Sequence, residues 1–107
     1  MEPTADQRED LEYILDSIIK KIPRFVGLAN SFQKKQVPID DISDFVLGLI
    51  WENFSRKCVE YNTNYVKTHV DTTKGEDILD LASITIDIFQ TDAKSIKELI
   101  KTELSKN

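Results

Sequence analysis

The chain has 107 residues, 40% apolar and 31% charged, which is enough apolar content for one buried core and too little length for two. A single Cys and a single His exclude an internal disulfide and a four-ligand Cys/His zinc site, so neither metal nor cofactor is expected. The net charge of −5 is uneven: six acids against Arg8 give residues 1–16 a net −5, whereas Ser17 to Ile39 holds Lys20, Lys21, Arg24, Lys34 and Lys35 and no acid.

Only three Gly and three Pro punctuate the chain and period-two alternation is confined to Ser83–Phe89, so the reading is all-α, one helical domain over residues 1–107. Thr4 and Gln7 fit a capping box, after which Leu11, Ile14, Leu15, Ile18, Ile19 and Ile22 recur at helical spacing until Pro23 interrupts, predicting a first helix over 5–22. A second segment from Arg24 to about Lys34 puts Phe25, Leu28, Ala29 and Phe32 on one face, and Pro38 marks the loop after it. From an Asp40 or Asp41 cap, a long central helix is predicted to about Thr68. Thr73 with Glu76 fits a second capping box, opening a helix through Ile78, Leu81, Ala82 and Ile88. Thr91 or Asp92 is then expected to cap a separate helix over 92–106, striped by Ile96, Leu99, Ile100 and Leu104.

The central helix carries two apolar stripes. Ile42, Phe45, Val46 and Leu49 cover its first half, and Leu47, Trp51, Phe54, Cys58, Tyr61 and Tyr65 step by four and three along nearly its whole length. Two surfaces must bury them, either inside a five-helix bundle or with one stripe against another chain. Trp51, Tyr61 and Tyr65 are the aromatic type enriched at interfaces, which makes this second stripe the candidate partner interface. Cys58 reads as a small buried hydrophobe, and His69 as a capping or solvent residue with no partnered nucleophile.

A modest helix, a long helix and a shorter one, joined by loops, is an order that resembles the histone fold. Glu52-Asn53-Phe54-Ser55-Arg56-Lys57-Cys58-Val59-Glu60-Tyr61 is similar to the middle of a histone-family long helix. Val70-Asp71-Thr72-Thr73-Lys74-Gly75-Glu76-Asp77-Ile78-Leu79-Asp80-Leu81-Ala82 resembles the following loop and third helix. The likeness covers a core over residues 24–90, and Ile22-Pro23-Arg24-Phe25-Val26 after an apolar helix is similar to a subgroup of TBP-associated factors of TFIID and SAGA. The resemblance implies a pairing module whose long helix crosses that of a second chain, as heterodimer or homodimer, inside a transcription or chromatin complex, with a nuclear address.

Two functions are expected on these grounds. One is a non-enzymatic interaction subunit using the Trp51 stripe, with Lys34, Lys35 and Arg24 as a patch able to touch phosphate or an acidic partner; the chain's overall acidity makes any DNA contact weak. The alternative is an acidic, monomeric helical bundle of the immunity or inhibitor type, presenting Glu9, Asp10, Glu12 and Asp16, or Asp77, Asp80 and Asp87, to a basic protein. Acids at i and i+3 come without a base, nucleophile or phosphate loop, so no catalytic residue and no small-molecule substrate is assigned. Met1 to Asp10 lacks the order of a signal peptide and the apolar run Phe45–Trp51 is far short of a membrane span, which predicts a soluble, intracellular protein.

Overall fold

The computed structural model describes residues 5–68 and 75–106, with side chains for residues 7–65, 67 and 82–106. Among them are four helices and no strand: α1 (Ala5–Ile19), α2 (Ile22–Lys34), α3 (Ile42–Thr68) and α4 (Gly75–Leu104). Thr4, His69 and Thr73, with the expected boxes and the loop that the histone resemblance places there, lie outside the described residues.

Pro23 separates α1 from α2. Its ring has no N–H to give the Ile19 carbonyl and crowds that carbonyl, so the chain tightens: the Lys21 N–H bonds to Ile18 O at 2.9 Å and the Arg24 N–H to Lys21 O at 2.9 Å. The apolar seam nevertheless runs through without losing phase, because Leu11, Leu15, Ile18, Ile22, Val26 and Ala29 are all buried at steps of three and four. Both segments pack against α3 and α4, and they follow one another along the molecule as a single rod. Extents of 52 × 23 × 18 Å are those of three such rods side by side, each about 40 to 45 Å long at 1.5 Å per residue.

The first rod ends in a Schellman turn. The Val37 N–H reaches Phe32 O at 2.9 Å, the Gln36 N–H reaches Gln33 O at 3.0 Å, and Gln36 sits at φ 63. Phe32 then meets Phe45 edge-on at 5.9 Å, tying the end of α2 to the start of α3. Asp41 caps α3: its carboxylate accepts from Ser43 Oγ at 2.7 Å and from the Asp44 N–H at 3.1 Å. Those two bonds, the Ser43 hydroxyl first, hold the Asp41 carboxyl below its ordinary range.

Two expectations are corrected. α3 does not present two separate faces. Among its described side chains the fully buried ones are Val46 from the first stripe, Phe54 and Cys58 from the second, and Ile50 from neither. At 100° per residue these four span an arc of about 120°, and the expected stripes are its two flanks, because α3 has the first rod on one side and α4 on the other. The second correction concerns the C-terminal half. No helix starts at Thr91 or Asp92, since α4 runs unbroken for 30 residues and exceeds the 27 of α3. The Thr91 hydroxyl bonds back to the Asp87 carbonyl at 2.8 Å instead of capping, and Thr85, Ile88, Ile96 and Ile100 keep one buried seam across the site. The alternating Ser83–Phe89 stretch is part of this helix. The long-then-short helix order of a histone fold is therefore absent, and so is the fifth helix of the alternative bundle among the described residues.

A candidate docking groove between the third and fourth helices

α3 and α4 run antiparallel, in a register fixed at two points. Lys97 Nζ meets Asp44 Oδ1 at 2.7 Å near one end, and this hydrogen bond, before its charge, raises the Lys97 pKa. Further along, the Trp51 and Phe89 rings stand 5.0 Å apart while Phe54 stacks on Phe89 at 6.1 Å and meets Trp51 edge-on at 6.3 Å. Phe54 is the wholly buried member of this trio, and Trp51 carries the cluster outward to a half-buried position.

Beside Trp51 the outer seam opens into a groove of about 160 Å³, lined by Trp51, Ser55, Cys58, Val59, Asn62, Ala82, Thr85 and Ile86. Small side chains at Ser55 and Ala82 leave the space. Val59 and Ile86, 63% and 54% exposed, stand as apolar banks on opposite helices. Cys58 forms the floor with Thr85. Burial pushes its thiol up to about 11 against the opposing hydrogen bond of the Thr85 hydroxyl, so it stays neutral and unreactive at physiological pH. At the far end Asn62 Oδ1 is buried without a hydrogen-bond partner, an acceptor that lacks its donor.

The expected interface residues therefore divide. Trp51 and Cys58 line the groove, Phe54 lies behind it, and Leu47 is half-buried against the core. Phe54 and Cys58 are 0% and 1% exposed within their own chain, so neither offers a free surface for a partner's long helix; the inward arc of α3 is occupied by α1, α2 and α4. Tyr61 is half-buried, and its hydroxyl donates to Asp10 Oδ2 at 2.9 Å, joining α3 to α1; Tyr65 is half-buried too. Arg24, Lys34 and Lys35 lie exposed on α2 and just past its end, away from the groove. Of the acids, Glu9, Asp10, Glu12, Asp16 and Asp87 are exposed, Glu12 accepting from Arg8 at 3.0 Å, while the side chains of Asp77 and Asp80 lie outside the described residues. Val59, Asn62, Ala82 and Ile86 belong to neither stripe; two apolar residues off the buried seam, Val59 and Ile86, are the signal that could have found the groove.

Among the described residues no group of three or more His, Cys, Asp or Glu could hold a metal ion, and no helix is long and apolar enough to cross a membrane. Comparison of the chain with known protein families, curated proteins and solved structures gives no match.

Proposed function

We propose that the chain is a non-enzymatic protein-interaction module that takes an apolar side chain of a partner's helix into the α3–α4 groove. The observation that carries this reading is the groove's composition: exposed apolar banks at Val59 and Ile86 on facing helices and an aromatic wall at Trp51. Two antiparallel helices leave between them the channel in which an amphipathic helix lies, anchoring one or two side chains per turn. Burying one Leu-sized side chain there is worth about 1.5–3 kcal/mol. The pairing role thus passes from the inward arc of α3 to its outer edge, and the transcription-complex and nuclear assignments go with the histone fold rather than with this groove.

The test uses the chain's one tryptophan, which lies in the groove wall. Helices selected from a randomised amphipathic-helix library should shift Trp51 emission to the blue on binding. Val59→Lys or Ile86→Lys should weaken them at least about 10-fold without loss of the fold, since both side chains are exposed. Selected helices that bind these variants as well as the wild type would overturn the reading.

A further inference from the structure

The groove lies on the face that α3 and α4 turn away from the first rod, and beyond the groove that face divides into two banks of opposite charge. On α3 stand Asp41 and Asp44, and on α4 stand Lys94, Lys97 and Lys101, all exposed except the half-buried Lys97. Among the described residues Lys97 pairs with Asp44, whereas Lys94 and Lys101 make no side-chain ion pair and are available to carboxylates from outside the chain. The Lys97–Asp44 and Trp51–Phe89 contacts fix which residues share a level across the seam: Asp41 with Lys101, Ser55 with Ile86, and Val59 with Ala82, each to within one residue. Each apolar bank of the groove thus stands level with a small side chain on the opposite helix.

On the reading of the groove as a docking site, we infer that its partner is a second copy of this chain, docked face to face about a two-fold axis parallel to the helices, so that α3 of each copy lies on α4 of the other. This symmetry preserves levels. Ile86 of one copy enters the other's groove over Ser55, Val59 lies over Ala82, and Lys97 and Lys101 come opposite the second copy's Asp44 and Asp41. Around the axis the Asp44 and Lys97 side chains of the two copies alternate in sign, with like charges on the diagonals. Among the described residues like signs meet only at the exposed rim, where Asp87 and Glu98 approach the second copy's Glu52 and Asp41. Bases flank them there: Arg56 lies 3.0 Å from Glu52, and Lys94 and Lys101 sit one turn either side of Glu98. A two-fold across the helices would instead stack like helix on like helix, leaving Lys94 and Lys101 with no carboxylate bank opposite. The acids of α1 lie on the first rod, behind this face, so the net charge of −5 acts mostly from beyond a Debye length of about 8 Å. Two rods about 20 Å wide over about 30 Å bury about 600 Å² per copy, short of the roughly 800 Å² of a standard interface, so the dimer is reversible.

Sedimentation velocity of the full chain from about 5 to about 500 µM tests it. The wild type should dimerise, and Trp51 emission should shift to the red as dilution separates the copies. Ile86→Lys should weaken the dimer at least about 10-fold. Lys94→Glu with Lys101→Glu makes both banks acidic, and Asp44→Lys sets a base against the α4 bank. Each of these two variants alone should be monomeric, whereas their equimolar mixture should form a heterodimer, with circular dichroism showing that the exposed substitutions leave the fold intact. A wild type that stays monomeric at the highest concentration overturns the second copy as partner, and selected helices that still bind that monomer would leave the groove standing as a docking site. A mixture that stays monomeric, or a dimer that persists in Ile86→Lys and in both charge variants, overturns it as well.

Discussion

The first and last rods of the bundle each span 30 residues of the chain, yet the first is two helices and the last is one. Both contain residues suited to ending a helix: Pro23 in the first, Thr91 and Asp92 in the last. Pro23 acts because it removes a donor and adds a clash, changes that no tertiary contact reverses. Thr91 only offers an alternative hydrogen bond, and inside a helix held by Ile88 and Ile96 on its buried side the hydroxyl takes the Asp87 carbonyl instead. Covalent constraints thus set helix ends absolutely, and cap preferences set them only where packing leaves a choice.

Converting the last rod into the first is the largest effect. Thr91→Pro removes the α4 amide at that position and sets a ring against the Asp87 carbonyl. It should cost about 3 kcal/mol or more by urea unfolding, with a drop in helical circular dichroism. Thr91→Ala, which removes the supposed cap, should stay within about 0.5 kcal/mol of the wild type because the residue is exposed and its bond is internal to the helix. A Thr91→Ala loss comparable to that of a true N-cap would show that α4 has a helix boundary there.

The end of the first rod offers a gain. Gln36 holds φ 63 in the Schellman turn, a conformation that costs a residue with a Cβ about 1 kcal/mol or more and a glycine little. Gln36→Gly should raise stability by roughly 0.5–1 kcal/mol after the glycine's added freedom in the unfolded chain is counted. An unchanged or lower urea midpoint would mean that the turn is not populated in solution.

Legibility in the sequence obeys the same division. The all-helical class, the break at Pro23 and a cap at Asp40 or Asp41 can be read there because each rests on local chemistry, whereas the choice of Asp41 comes from its bonds to Ser43 and Asp44. The continuity of α4 cannot, because Thr91 and Asp92 carry the same side chains whether they cap or lie mid-helix. Ile50 escapes for another reason: two stripes drawn from the apolar pattern skip the middle of an arc whose width depends on helices on both sides of α3. The groove is further still from the sequence. Val59 and Ile86 are apolar residues without an inward role, and only the register that brings Trp51 to Phe89 puts them on facing banks.

The smallest expected effect on stability bears most directly on why the first rod breaks. Its seam keeps phase across Lys20 and Lys21, with Ile18, Ile22 and Val26 buried on one line, so a continuous helix would bury the same residues. Pro23→Ala restores an N–H that can bond to the Ile19 carbonyl, a gain of about 1 kcal/mol. It also frees the unfolded chain, a loss of about 0.4–1 kcal/mol, and the two nearly cancel. The variant should therefore melt close to the wild type while showing stronger helical circular dichroism and slower amide exchange from Lys20 to Arg24. If exchange there is unchanged, the break is held by the way α1 and α2 sit on α3 and α4, and proline merely occupies a bend that the bundle makes in any case.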